Sequence, residues 1–145
     1  MAEKFLSAAP TFLVRDVERT VEWYEEMLGF EVVTLMRGHG PGQDDAEDGE
    51  HEHTGPVAFA IIQRDDVALM LALASEPVRP NREVAGASDA LDLYVWMESD
   101  EALGAFHADC EAKGLTIVRP LEHTFYDMVE FAVADCDGRI LTFGA

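Results

Sequence analysis

The order strand, helix, strand, strand, strand can be read twice along these 145 residues, and no other feature restricts the fold as much. In the first pass residues 10–15 read as a short strand and Asp16 stands where a helix N-cap belongs. Val17, Val21, Tyr24 and Leu28 follow at helical spacing, with Gly29 at the C-cap. Residues 30–36 and 57–63 are β-rich, and Arg64-Asp65-Asp66 turns the second of them into 67–73. In the second pass residues 90–97 form a strand. Ser99 or Asp100 caps a helix carrying Leu103, Phe106 and Cys110, and Gly114 ends it before a short strand at 115–118. Residues 128–134 then turn through Asp135-Cys136-Asp137-Gly138 into 139–143, with an Asp-Gly pair where a tight turn wants positive φ.

The two passes can be laid on each other. Gly29 maps to Gly114 at an offset of 85 and Asp16 to Asp100 at 84, whereas the later turns, Asp65 against Cys136 or Asp137, match at only 71 or 72. The first pass therefore carries extra chain between its second and third strands, at 38–56. That stretch is glycine, proline and acid with no aliphatic residue larger than alanine, so it cannot contribute to a core. It reads as a solvated acidic insertion in which Asp44, Asp45, Glu47, Asp48, Glu50 and Glu52 surround His51 and His53, two residues able to bind a metal adventitiously.

Composition sets the remaining bounds. A chain of this length buries roughly two thirds of its unfolded surface, enough for one core but not for two large unrelated domains. With 29 Asp plus Glu against 10 Lys plus Arg, the net charge of −19 repels phosphate backbones and anionic membranes. Nucleic acid and membrane are excluded as partners on that ground. The acidity serves solubility or steers a cationic ligand to the surface. No signal-peptide or membrane-spanning pattern is present, which predicts a cytoplasmic protein, and Cys110 and Cys136 read as free thiols. His107 is expected on a helix surface.

Strand alternation sorts the second pass into two faces. Leu91, Leu93, Val95 and Met97 make a core face, while Asp92, Tyr94, Trp96 and Glu98 face the other way. In 128–134 the bulky Val129, Phe131 and Val133 oppose Glu130, Ala132 and Ala134. One acid among small residues, beside a face of Tyr and Trp, suits a ligand cup, or else an aromatic cover for solvent or a dimer contact. His123, near Phe125 and Tyr126, stands where it could reach the mouth of that cup.

The two halves, with residues 14–24 (Val-Arg-Asp-Val-Glu-Arg-Thr-Val-Glu-Trp-Tyr) in the first and residues 129–144, including Asp135-Cys136-Asp137-Gly138, in the last, resemble the vicinal oxygen chelate superfamily of glyoxalases, extradiol dioxygenases and bleomycin-resistance proteins. Cys136 departs from the proline common in that family's turn. The resemblance implies an α+β fold in one domain, 1–145. Two βαβββ modules, about 8–74 and 88–144, form curved mixed sheets around a cup with the helices outside and the acidic insertion at 38–56. It also implies that the metal enzymes of the family would take ligands near Ala9, Met70, Asp92 and Thr142. Only Asp92 carries a hard anionic oxygen there, so neither metal nor other cofactor is expected.

The pattern looks like the bleomycin-resistance branch, whose members bind a drug in a metal-free cleft between subunits. The resulting expectation is a homodimeric small-molecule binding protein that sequesters a cationic or aromatic compound through Asp92, Tyr94, Trp96, Glu130, Thr142 and His123. The alternative is a metal-dependent glyoxalase-like lyase or isomerase, or a dioxygenase, with a rearranged site; the reading favours binding over catalysis.

Overall fold

Where residues 17–28 place an apolar side chain every third or fourth position, the chain forms a helix, and where they alternate it forms strands, as seen in a computed structural model that describes residues 3–38, 55–76, 78–86 and 90–145. The protein is α+β. Among the described residues, two four-stranded mixed sheets and three helices divide into two compact units, Met1–Pro77 and Val78–Ala145.

The first unit runs β1 (Thr11–Val14), α1 (Val17–Leu28), β2 (Glu31–Arg37), β3 (Val57–Arg64) and β4 (Val67–Leu73), with strand order β1-β4-β3-β2. Asp16 caps α1 by accepting from the Arg19 amide at 3.0 Å, and Gly29 leaves the helix at φ +69°, a left-handed turn that suits glycine. The Arg64 guanidinium donates to the Leu28 carbonyl at 2.7 Å, placing a positive charge at the negative end of α1. Val17, Val21, Tyr24 and Leu28 bury against Leu69, Leu71, Ala60 and Ile62. The register aligns Leu13, Ala72, Phe59 and Met36 across the other face, where Leu13 and Met36 are each 55% exposed.

The second unit repeats the order as β5 (Leu93–Trp96), α3 (Asp100–Ala112), β6 (Thr116–His123), β7 (Val129–Ala134) and β8 (Ile140–Gly144), ordered β5-β8-β7-β6. Ser99, not Asp100, is the N-cap of α3 and accepts from the Ala102 amide. Leu103, Phe106 and Cys110 pack under Phe131 and Phe143, with Phe106 and Phe143 edge to face at 4.9 Å. The Asp135 carboxylate organises the β7–β8 turn by accepting the Asp137 and Arg139 amides, each at 2.9 Å. Gly138 there takes φ +86°.

Three details depart from the sequence expectation. A short helix, α2 (Asn81–Ala85), precedes β5. Strand β6 extends to His123 although Pro120 interrupts it, which is tolerated because β6 is an edge strand and its pairing with β7 is irregular between Arg119 and Glu122. His107 is not a surface residue: its side chain is only 16% exposed, lies edge-on to Phe131 and reaches Glu111 at 3.3 Å. Most of the 38–56 stretch, His51 and His53 included, lies outside the described residues. No helix among the described residues is long and apolar enough to cross a membrane.

Candidate functional site

Helix α3 covers one face of the second sheet, and the register determines what lines the other. Tyr94 pairs with Thr142 and Trp96 with Gly144 across β5 and β8, while Ala132 pairs with Thr142 and Glu130 with Gly144 across β7 and β8. Paired residues share a face, so these six line the open side together.

Trp96 is 75% exposed and leans on Tyr94, with ring centroids 4.9 Å apart and planes at 54°. Next to this exposed pair, Glu130 is only 3% exposed. A buried carboxylate needs partners, and Glu130 has Tyr126 and Arg119. Tyr126 donates its hydroxyl to Oε1, and the Arg119 guanidinium stands 3.9 Å from Oε2, while the Tyr94 hydroxyl and Glu130 Cγ crowd the same side of Gly144. Burial first, and then the Glu130 charge, push the Tyr94 phenol above its ordinary pKa of 10.0. For Tyr126 the hydrogen bond to Glu130 comes first in raising it. Both phenols therefore stay neutral, Tyr126 serves as a donor, and Arg119 offsets the carboxylate charge.

Gly144 makes this packing possible. A Cβ on residue 144 would overlap the Tyr94 hydroxyl, with Tyr94 Cζ at 2.7 Å and Glu130 Cγ at 3.1 Å. Neighbouring Thr142 is fully buried, yet its Oγ1 has no hydrogen-bond partner. Sequence reasoning missed Gly144, Tyr126 and Arg119. The first contributes only an absence of side chain, and the other two lie on or beside the irregular β6 edge, where alternation does not report facing.

The remaining candidate residues occupy other environments. The two oxygens of Asp92 accept backbone amides, Oδ1 from Asn81 at 3.0 Å and Oδ2 from Ile140 at 2.9 Å, clamping α2 to the start of β8. His123 pairs in register with Val129, one residue out of step with Glu130, and sits 3.0 Å from Asp127. Glu122 rather than His123 stands opposite Glu130.

The donor chemistry does not fit a resident metal at the place the fold suggests. Asp92 is occupied by two amides and Thr142 offers one neutral hydroxyl. Among the described residues no three His, Cys, Asp or Glu side chains gather closely enough to hold an ion.

The chain resembles solved structures over nearly its whole length. It is 19% identical to TioX from Micromonospora sp. ML1, covering 96% of this chain and 94% of that one, with a TM-score of 0.64. It is 21% identical to the bleomycin-binding protein from bleomycin-producing Streptomyces verticillus, solved with copper(II)-bleomycin, at coverages of 98% and 97% and a TM-score of 0.61. A glyoxalase-related enzyme from Clostridium phytofermentans matches at 17% identity, coverages of 98% and 95%, and a TM-score of 0.68. Identities this low establish a shared fold and leave chemistry to the site. No curated protein matches the chain. Residues 8–143 match the family model for glyoxalase, bleomycin resistance protein and dioxygenase, and the chain therefore belongs to the Glyoxalase/Bleomycin resistance protein/Dioxygenase superfamily.

Proposed function

We propose that this protein binds a small aromatic compound, preferentially a cationic one, on the open face of the β5-β8-β7-β6 sheet, and that it does so as a homodimer without a metal. The observation that carries the reading is the exposed Trp96 ring resting on Tyr94 beside the buried Glu130 carboxylate. An aromatic guest gains stacking area there, and a cation gains the ring faces and the field of a chain carrying −19. Fold likeness to a protein solved with copper(II)-bleomycin agrees with a binding role. Dimerisation would cover apolar side chains such as Leu13, Met36 and Trp96 that the isolated units leave in water.

Asp92 enters this proposal as the residue that holds β5 and β8 in register rather than as a ligand contact. Tyr94, Trp96, Glu130 and Thr142 form the binding face, and Tyr126 and Arg119 join them. The metal-dependent lyase or dioxygenase alternative lacks a donor set at this face.

Calorimetric titration with proflavine, a planar cation, and with 1-naphthalenesulfonate, a planar anion, tests the reading. Proflavine is expected to bind and the sulfonate to be refused, with Trp96→Ala weakening proflavine by about thirtyfold, the equivalent of roughly 2 kcal/mol of cation–π and stacking interaction. Tight binding of the sulfonate with none of proflavine would overturn it. Light scattering at the mass of a single chain would remove the dimer from the proposal.

A further inference from the structure

Tyr94 fills a place that belongs to the backbone of another strand. Its ring lies over β8, beginning opposite Thr142 and ending above Gly144, where any side chain larger than hydrogen would expel it. The hydroxyl at its tip lies beside Glu130, both crowding the position above Gly144. Opposite Tyr94 in register, the Thr142 hydroxyl is buried without a partner. A buried hydroxyl left unpaired costs about 1–3 kcal/mol, so folded proteins seldom keep one unless something else completes it.

The floor of this place can receive an aryl alcohol. Gly144 and Ala132 leave room for a flat ring, Glu130 accepts a proton from a hydroxyl, and Thr142 donates one to an oxygen. Tyr94 fills the room but leaves Thr142 unmet, because its ring is tethered to β5 and its hydroxyl sits over Gly144 instead of Thr142. A free phenol has no such tether. Its oxygen can accept from Thr142 while its proton goes to Glu130. Tyr94 can yield the place because β5 is the outermost strand of its sheet and the side chain lies on the open face, outside the Phe106–Phe131–Phe143 core.

We propose that the position held by the Tyr94 ring is a subsite for a hydroxyaryl group, and that Tyr94 is an internal stand-in which leaves when a ligand's phenol enters to hydrogen-bond Glu130 and Thr142. This deepens, and rests on, the reading of the open face as an aromatic-binding surface. It assigns the ligand class an aryl hydroxyl in addition to its ring.

The test uses p-cresol and toluene as probes, titrated calorimetrically into the full chain. Tyr94→Ala empties the place, and it is expected to bind one p-cresol per chain at least about tenfold more tightly than the wild type, with toluene about tenfold weaker than p-cresol. Adding Gly144→Ala to that variant should abolish binding, and adding Thr142→Val should weaken it. A folded Tyr94→Ala protein, judged by circular dichroism, that takes p-cresol no better than wild type, or takes toluene equally well, overturns the proposal. Should Tyr94→Ala fail to fold, Tyr94→Phe decides. Losing the hydroxyl that lies over Gly144 beside Glu130, its ring must yield more readily, so p-cresol binding should improve about threefold, and unchanged affinity overturns the subsite. Proflavine titrated in parallel separates the two readings. Proflavine bound with p-cresol refused by the Tyr94 variants overturns the subsite alone; proflavine refused with p-cresol bound removes the cation preference and supports the subsite.

Discussion

The hydroxyl of Tyr94 lies where the side chain of residue 144 would begin, so Tyr94 and Gly144 are a matched pair across β5 and β8. Glycine in a strand normally weakens it, and replacement by alanine would on that ground stabilise by about 0.5–1 kcal/mol. The clash with Tyr94 reverses the sign. Gly144→Ala is expected to lose about 1–3 kcal/mol of stability through overpacking, measured by denaturant unfolding. Because the loss comes from the clash, adding Tyr94→Ala should return part of it. Strict additivity of the two changes would contradict this account.

Alkaline pH should unmake the phenol cluster. Tyr94 and Tyr126 both have raised pKa values in the folded chain, while in the unfolded chain they ionise near 10.0. Above that pH the unfolded state releases protons that the folded state keeps, so stability is whole below it and falls as pH rises through the raised values. Denaturant midpoints followed across this range should drop in the wild type. A Tyr94→Phe/Tyr126→Phe double variant should lack most of that drop, and matching profiles for the two proteins would sink the assignment.

Asp92 gives the clearest separation of structure from binding. Asp92→Ala strands the amides of Asn81 and Ile140, and each buried unpaired donor costs on the order of 1–3 kcal/mol, less where water reaches it. A stability loss of about 2 kcal/mol is expected, with the proflavine affinity of the folded fraction changed less than about threefold. A large affinity loss at unchanged stability would return Asp92 to the ligand.

Metal content is the fourth expectation. Protein purified with zinc, iron, nickel and manganese present should retain none stoichiometrically at the second sheet, because Asp92 is engaged by amides and Thr142 is neutral. The measurement is elemental analysis of a variant lacking residues 43–53, which removes His51 and His53. One tightly held ion per chain in that variant would contradict it.

Much of the architecture is legible from periodicity. The spacing of Val17, Val21, Tyr24 and Leu28 places α1 to the residue, with Asp16 and Gly29 at its ends, because helix caps are local chemistry acting within one turn. Strand β4 matches 67–73, and the facing of Tyr94 and Trp96 away from the core side follows from alternation alone. The reading falters at β6. Pro120 and a run of polar residues hide an edge strand whose irregular pairing carries Arg119 toward Glu130. It also falters at α2, which is too short to show a period.

The amino-acid order by itself determined the two βαβββ passes, the family they resemble and the residue types on each strand face, because caps, turns and periodicity are settled by neighbours a few positions apart. Only the tertiary structure decided how those residues are used. Asp92 and Glu130 look alike in sequence, two acids on alternating strands. Yet Asp92 meets Asn81 and Ile140, 11 and 48 residues away, and becomes a backbone clamp. Glu130 meets Arg119, Tyr126 and Tyr94 and becomes the buried centre of an aromatic face. Register across β5, β8 and β7 makes that difference. Hydrogen-bonded pairing between distant strands chooses which side chains touch, and no local pattern encodes the choice.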